Sequence, residues 1–474
     1  MPVTTDYKGY KGLPAIVGLH KMEDAIDKGL TVSESVNRLK RYHWTAKRLS
    51  LILIGRITSM PIYELKMAFS MHAHLLAEHV EPFFNRVREM REPPYGMDET
   101  PHVAMDILLN EIQNAPTTEA LILGIYQYII PALVSGLERH IADNNKLFDH
   151  PTYRICKLAL SDIKEIEDYG QKAIKALISA DDLIAYHDWM CYLEIGLNSM
   201  GGLDGTQPVS VVASDELFWK EAYLFDFIPQ RDERFFDGYN MRVNAEAFLF
   251  DRDIDALPKT LMLYFKRMRE INVPEMMASI VHETKDKPWE YYREMIRQIW
   301  DEARHAMMGE VGFASLDIDW KKIPMDVTWC HILNTELSNK ERHAVLFYIE
   351  QGLMPAKTGK KYEWEVAVAT TNRLTELIQD YDWADEVLHA RIGRDWIVPE
   401  LGGQDKALEF GNRAWDKALT NRYDQFEQEG RTKHHNWWPE IYSEACNHWE
   451  IEPDPEVLNF DISYRESRPD QQKV

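Results

Sequence analysis

Apolar residues recur at helical spacing along most of this chain. Runs in which Val, Ile or Thr alternate with polar residues are few, and no Asn-Gly turn joins two such runs into a hairpin. The pattern therefore predicts an all-α protein. The helices predicted for the first part of the chain are 37–59, 62–91, 118–145, 151–179 and 181–198.

A glycine-rich interruption follows these helices. Residues 200–205 read MGGLDG, the clearest break in the chain, and they predict a domain boundary near Gly205. We therefore expect four parts: an N-terminal, bundle-like helical domain (1–205), a connecting segment (206–256), a helical bundle (257–398) and a C-terminal helical extension with a polar tail (399–474).

The segment Trp289–Glu310 carries a polar pair on an otherwise apolar helix face. Pro288 marks the first turn of the predicted helix, and apolar residues recur through it at helical spacing. Glu302 and His305 lie three residues apart, so they project from one side of the helix and can bind the same metal ion. A carboxylate and an imidazole on a buried face require a chemical explanation.

The same triplet recurs later in the chain. A Glu-x-x-His triplet alone is weak, since an acidic chain with 17 histidines should contain about one or two by chance. The triplet from Glu99 to His102 contains Pro101 in a proline-rich loop and is set aside. The other two also share an Asp directly before the Glu, and this repetition is the specific signal: Asp301-Glu302-Ala303-Arg304-His305 and Asp385-Glu386-Val387-Leu388-His389.

A third ligand is expected on the helix before Trp289. The segments on either side of the turn at 285–288 look helical and would form an antiparallel pair. Glu275 and Glu302 both lie roughly 17 to 24 Å from the end of this hairpin at 1.5 Å per residue, so Glu275 is the candidate. Glu270 is out of level, and Glu283 lies too close to the turn.

The helix 373–397, which carries the second triplet, needs a partner earlier in the chain, where three glutamates compete. Glu350 is favoured because it ends the apolar run 344–349, where a carboxylate is hard to explain as solvated surface. Glu341 and Glu336 remain the alternatives.

This arrangement resembles the ferritin-like di-iron carboxylate superfamily, in which one helix supplies a Glu, the next a Glu-x-x-His, and the pattern repeats. The two motifs are most similar to those of its oxygen-activating members, such as the multicomponent monooxygenases and the tRNA-modifying hydroxylase. The resemblance covers about 257–397 and implies a ferritin-like four-helix bundle with a metal site. The ligands that it implies are Glu275, Glu302, His305, Glu350, Glu386 and His389.

The resemblance also implies roles for the residues beside these ligands. Asp301 would orient His389, and Asp385 would orient His305, by accepting the outer N–H of each ring. The alternative is that both are acids on a helix surface. Arg304 would offset the local negative charge.

Iron suits such a site. Four carboxylates and two neutral imidazoles supply about four negative charges, which balance two divalent cations and favour iron, with manganese as an alternative. By resemblance, a reduced iron pair binds O2 and delivers a two-electron oxidant. Glu302 and Glu386 would lie at the reacting centre. Tyr292 and Tyr348 flank the ligand segments and either line the pocket, relay an electron or simply pack in the core.

We therefore expect a non-haem di-iron, or iron–manganese, oxygenase or oxidase that uses O2, a small organic substrate and a separate electron donor. One alternative is a metal-handling protein, a ferroxidase or iron store; against it, storage bundles are short single domains, and here a whole helical half is attached. A scaffold that has kept the motif without the metal is disfavoured by the two intact triplets.

Composition narrows the class of partner and the compartment. A net charge of -23 repels a phosphate backbone, so nucleic acid is not an expected partner and hydroxylation of tRNA is disfavoured. The four cysteines are scattered, which argues against a disulfide scaffold. No apolar run approaches the ~20 residues of a membrane span, so we expect a soluble, cytoplasmic protein. The tail would cover a groove or a second copy in a homodimer.

The N-terminal half has its own polar cluster, His72, His74, Glu78 and His79. Their helical spacing allows a metal site. No helical Glu-x-x-His follows in this half, so the favoured interpretation is a wet helix face or a contact between domains.

Overall fold

The computed structural model describes residues 7–91, 96–209, 211, 216–419 and 425–464. Throughout these ranges the regular elements are helices, with no β-strand, which confirms the predicted all-α class. The predicted polar tail beyond Tyr464 lies outside the described residues. In chain order, the α-helices are α1 (Met22–Asp27), α2 (Val32–Gly55), α3 (Tyr63–Glu89), α4 (Val103–Gln113), α5 (Thr118–Leu123), α6 (Ile130–Asp143), α7 (His150–Leu177), α8 (Ala180–Ala185), α9 (His187–Ser199), α10 (Ala245–Phe250), α11 (Ala256–Arg269), α12 (Asn272–Glu283), α13 (Trp289–Ala314), α14 (Thr328–Glu336), α15 (Asn339–Gly352), α16 (Lys360–Ala369), α17 (Arg373–Trp396), α18 (Val398–Leu401), α19 (Gln404–Leu419), α20 (Gln425–Gln428), α21 (Trp438–Trp449) and α22 (Pro455–Leu458).

The chain divides into two compact units. The first contains Met1–Leu53 and His72–Leu224, and the second contains Ile54–Met71 and Phe225–Val474. This division differs from the predicted one. The segment 54–71 belongs to the second unit because its residues, such as Tyr63, are buried in that unit's apolar core.

The predicted C-terminal extension is also part of the second unit, because α19 packs along α15. The two helices cross closely at Gly411, where a Cβ atom would lie 2.4 Å from the backbone oxygen of Ala344. Phe347 and Ala407 contribute to a small apolar cluster between these helices.

One stretch of the first unit is more apolar than we predicted from the sequence. By length and composition, Thr118–Asp143 is long and apolar enough to cross a membrane, and 72% of its most apolar window is buried inside the protein. It comprises α5, a π-helical turn at Gly124–Ile129 and α6. Within the unit α6 packs against α7, so the apolar surface of this stretch is covered by other helices.

In the second unit, four helical rods pack around a common interior. The first rod is α11 followed by α12, because Glu270 and Ile271 between them keep right-handed helical backbone angles. It packs against α13, α13 packs against α17, α17 packs against α15, and α15 packs against α12. The ring of contacts closes on itself, so each rod presents one face to the interior.

Two glycines allow α13 to approach α11 closely. A Cβ atom at Gly309 would lie 2.6 Å from the backbone oxygen of Tyr264, and one at Gly312 would lie 2.4 Å from the Tyr264 ring. Both distances are far inside van der Waals contact. The close crossing brings the middle of α13 against the end of α11, where the candidate site begins.

Candidate metal centre

Metal-ligating side chains converge at one point inside the second unit. Two groups of four have ligand atoms that all lie within 4.8 Å of one another, and each could hold a metal ion. We call them the Glu350 position and the Glu270 position. The Glu350 position is formed by Glu302, Glu350, Glu386 and His389, and the Glu270 position by Glu270, His305, Asp382 and Glu386.

Helical spacing explains how single helices supply paired ligands. Glu302 and His305 are three residues apart on α13, and Glu386 and His389 have the same spacing on α17. The side chains of all four are at most 2% exposed. The remaining rods each supply one glutamate, Glu350 near the end of α15 and Glu270 directly after α11.

Glu302 lies between the two histidines. Its Oε1 is 3.1 Å from Nδ1 of His389, and its Oε2 is 3.6 Å from Nδ1 of His305. The two imidazole rings are 5.9 Å apart between centroids. Each imidazole therefore faces one oxygen of Glu302, and Glu386 is the residue that belongs to both groups.

The inward atoms of these side chains lack hydrogen-bond partners. Buried polar atoms are normally paired, so a set of unpaired ones requires an explanation. A metal ion with oxygen and nitrogen ligands accounts for them, and the donor set fits iron or manganese. The unpaired atoms are Oε2 of Glu270, Glu302, Glu350 and Glu386, Nδ1 of His305, and both ring nitrogens of His389.

The outer ring nitrogens face aspartates crosswise between α13 and α17: that of His305 is hydrogen-bonded, and that of His389 makes a longer ionic contact. Nε2 of His305 is 3.2 Å from Oδ2 of Asp385, and Nε2 of His389 is 3.5 Å from Oδ2 of Asp301. These are the two pairings that the resemblance implied. Arg304 donates hydrogen bonds to both aspartates. With the proton on Nε2, each Nδ1 turns its lone pair inward, as a ligand must.

The carboxylates strongly affect the two imidazoles. Burial alone would lower the pKa of His305, but the adjacent carboxylates of Asp385, Glu270 and Glu302 outweigh it and raise the pKa to about 10. Burial also opposes protonation of His389, but the adjacent carboxylates of Asp301 and Glu302 outweigh it and raise the pKa well above the usual value. A metal ion must therefore displace protons from both rings.

Glu350 and Glu386 respond in opposite directions. Burial and the nearby Glu386 and Glu302 carboxylates raise the pKa of Glu350 well above its usual value. Burial would also raise the pKa of Glu386, but the positive charge of Lys360 and the hydrogen bonds of the Glu386 carboxylate lower this pKa well below the usual value. Of the two carboxyl groups, Glu350 therefore holds a proton more readily than Glu386.

Glu275, the predicted first-helix ligand, does not lie in either group. Its carboxylate pairs with Lys66 and, at 2.7 Å, with Arg231. Glu270 occupies the expected place, because it lies 16 residues before Asp286 and Glu302 lies 16 residues after it. Equal counts from the turn give equal depth in an antiparallel pair, and five further residues rotate Glu275 about 140° around the helix axis.

Among the three glutamates considered for the third helix, the structure brings Glu350 to the centre. Glu341 instead caps the first turn of α15 through reciprocal hydrogen bonds with Ser338, and it also pairs with Lys417. Glu336 is exposed at the last residue of α14. A capping carboxylate faces the start of its helix and cannot also reach the interior.

The two candidate tyrosines lie in different places. Tyr348 lines the cavity beside the centre. Tyr292 lies about 15 Å along α13 from Glu302 at 1.5 Å per residue. Its hydroxyl donates to the backbone oxygen of Thr284 at 3.1 Å, and its ring stacks on Trp289.

Three residues at the centre were not predicted from the sequence: Asp382, Lys360 and Arg267. Asp382 precedes Glu386 by four residues on α17, so its position on the same face could have been predicted. Lys360 and Arg267 are fully buried cations that contact Asp382. Nothing in their local sequence distinguishes them from surface residues.

The histidine cluster of α3 does not form a comparable group. Both metal-ligating groups found among the described residues lie in the second unit. His72 is buried and hydrogen-bonds to the Tyr126 hydroxyl at 2.9 Å, and His79 pairs with Asp162 at 2.7 Å. His72 and His79 are therefore buried within the first unit, and the expectation of a wet face was wrong for them.

A cavity of about 180 Å³ adjoins the centre. Four of the candidate ligands form one side of it: Glu270, Glu302, Glu350 and Glu386. Lys266 and Arg269 contribute charge, but each is already paired, Lys266 with Glu363 and Arg269 with Asp326 at 2.8 Å. The rest of the wall is mainly apolar and aromatic and includes Phe250, Val273, Trp329, Ile349, Leu353 and Trp415.

Comparison of the chain with models of protein families, with curated proteins and with solved structures finds no match.

Proposed function

We propose that this protein is an O2-dependent non-haem iron oxygenase or oxidase that acts on a small organic substrate. One observation carries the proposal: six ligand atoms from four helices point at one another without hydrogen-bond partners, and they border an apolar cavity. An acidic cluster on a protein surface has neither property. Iron, with manganese as the alternative, suits the oxygen and nitrogen donors.

The fold that we propose for the second unit is a ferritin-like four-helix bundle. The closed ring of contacts among the four rods supports it, as does the order of ligands along the chain, Glu, Glu-x-x-His, Glu, Glu-x-x-His. Glu270 takes the first place in this order.

Iron bound by these residues would supply the binding and reduction of O2, with electrons from a separate donor. The protein's own groups have other tasks. Asp301 and Asp385 hold the two imidazoles in one orientation. Gln298 donates a hydrogen bond of 3.0 Å to Oε1 of Glu350, which leaves Oε2 for the centre.

The cavity indicates the class of substrate. A dry cavity of about 150 Å³ is enough to bind benzene, so about 180 Å³ admits a molecule with roughly one ring. The walls offer apolar and aromatic contacts, and the cations in them are paired within the protein. We therefore propose a small, mostly apolar substrate.

The test is anaerobic loading with Fe(II) followed by mixing with O2. We expect loaded protein to consume O2 and oxidise its bound iron, and the variants Glu302→Gln and His389→Ala to lose bound iron and O2 consumption. Glu336→Gln and Glu341→Gln are matched controls, because these acids lie outside the centre, and they should behave like the wild type. Failure to bind iron would overturn the proposal, and conversion of a large excess of iron into a mineral would favour iron storage.

A further inference from the structure

Lys360 places a positive charge inside the candidate metal centre. Its side chain is fully buried. Its Nζ lies 3.2 Å from Oε1 of Glu270, 2.9 Å from Oδ1 of Asp382 and 2.9 Å from Oε1 of Glu386. Three of the four ligands of the Glu270 position therefore already contact an ammonium group.

The fold builds this placement. Lys360 is the first residue of α16, and its backbone N–H donates to the oxygen of Leu353 at 3.0 Å, which folds the loop 353–359 back on itself. At Gly359 a Cβ atom would lie 2.0 Å from that same oxygen, so the turn requires glycine. Lys360 is therefore directed inward by its backbone.

The two positions differ in their contacts with cations. At the Glu270 position, Arg267 pairs with Asp382 and lies 3.0 Å from Glu270, in addition to Lys360. At the Glu350 position, Glu386 is the ligand that Lys360 contacts. Across the described parts of the chain, neither Glu302 nor Glu350 contacts a lysine or arginine.

We infer that Lys360 makes the two metal positions unequal, because its ammonium group competes with a metal ion for the carboxylates of the Glu270 position. The first ion binds at the Glu350 position, and the second binds much more weakly. This inference rests on the metal centre of the proposed function. Like charges repel strongly in a buried site of low dielectric, and ammonium and metal would share the same carboxylate groups, the ammonium at Oε1 of Glu270 and Glu386 and the metal at their Oε2 atoms.

The experiment is a titration of the metal-free, full-length protein with Mn²⁺ alone, with bound metal measured by equilibrium dialysis and the spin state by electron paramagnetic resonance. In the wild type we expect one tightly bound, magnetically isolated ion. The affinity for a second ion should be weaker than that for the first by about 100-fold or more. Lys360→Met should tighten the second binding at least about tenfold and produce a coupled pair of ions.

Two control variants test whether the effect depends on a positive charge at residue 360 in particular. Lys360→Arg keeps a cation at this point and should leave the second ion weak. Lys266→Met removes a cation from the cavity wall, where Lys266 pairs with Glu363, and should leave the ratio of the two affinities unchanged. A ratio that changes equally in Lys266→Met and Lys360→Met would overturn the specific role of Lys360.

Other outcomes are equally decisive. Two ions that bind the wild type with equal affinity, or a Lys360→Met protein with the wild-type ratio, overturn the inference while leaving the proposed metal centre intact. If neither Mn²⁺ nor Fe²⁺ binds to wild type or variant, the proposed function itself fails. Should Lys360→Met not fold, the two wild-type affinities and the Lys360→Arg titration still decide.

Discussion

Oδ2 of Asp385 on α17 lies 3.2 Å from Nε2 of His305 on α13. The reciprocal contact joins Asp301 on α13 to His389 on α17 at 3.5 Å. Each helix thus orients the histidine of the other. The geometry of the centre is therefore coupled to the packing of α13 against α17, and the two aspartates carry that coupling.

Asp385→Asn tests this coupling. The amide is a weaker acceptor for the ring N–H than the carboxylate, so we expect metal affinity to fall by about 10 to 100-fold while the helices remain folded. Competition with a chelator measures the affinity, and circular dichroism measures the helix content. Asp380→Asn is the matched control, since Asp380 is exposed on the same helix. Equal affinities for the two variants would contradict the orienting role.

Metal affinity should rise with pH. The pKa of His389 is raised well above its usual value. Burial disfavours the protonated ring, but the adjacent carboxylates, Asp301 first among them, outweigh burial. Below that pKa the ring keeps its proton, and a metal ion must displace it. Each proton displaced strengthens apparent binding about tenfold per pH unit.

We expect this dependence between pH 6 and 8, measured by competition with a chelator of known pH behaviour. Asp301→Asn removes an acceptor that raises the pKa of His389, so the variant should show a shallower dependence. A wild-type affinity that does not change with pH would show that His389 is not protonated in the metal-free protein.

Glu275 has a structural role that a variant can separate from metal binding. Its carboxylate neutralises Lys66 and Arg231, and both Lys66 and Glu275 are fully buried. Glu275→Gln should lower the free energy of unfolding by about 3 to 5 kcal/mol, because it leaves buried cations without their partner. The folded fraction should keep the wild-type number of metal ions.

The measurement is urea unfolding together with metal analysis. Glu64→Gln is the control, because Glu64 pairs with Arg234 near the surface and its loss should cost about 1 kcal/mol or less. Loss of bound metal from well-folded Glu275→Gln would restore Glu275 as a ligand.

Some residues of the centre can be predicted from the sequence and others cannot. Glu302, His305, Glu386 and His389 follow from a three-residue spacing, which is a local property of a helix. Glu350 followed from the improbability of a carboxylate within an apolar run. These inferences needed no knowledge of how the helices pack.

The level of a residue along a helix pair and the path of a loop cannot be predicted in the same way, because both depend on tertiary structure. The choice between Glu270 and Glu275 required the point about which the first two helices turn, and counting from Asp286 would have given Glu270. Lys360 reaches the centre only because the loop 353–359 folds back before α16 begins. No periodic pattern encodes that reversal, so its charge could not be assigned to the site.

His140 provides a prediction for the first unit that is independent of metal. Its ring is fully buried, with Nε2 3.2 Å from Oγ of Ser35. Burial, helped by Arg38, lowers its pKa from 6.5 to about 4. In the unfolded chain His140 is protonated as the pH falls through about 6.5, whereas in the folded protein it is protonated only near pH 4. Acid therefore favours the unfolded state. This contribution is complete above pH 6.5 and is lost as the pH falls to about 4, and it amounts to roughly 3 kcal/mol.

His140→Gln should remove this part of the pH dependence. Urea unfolding at pH 7 and pH 4.5 should show a smaller loss of stability on acidification in the variant than in the wild type, by roughly 2 kcal/mol or more. His187→Gln is the control, since His187 is exposed in the same unit, and it should keep the wild-type difference. If His140→Gln and His187→Gln respond equally to acid, the buried His140 imidazole is not what makes the first unit acid-sensitive. The next residue to replace is then His72, a buried histidine of α3 whose pKa is lowered by burial to about 3.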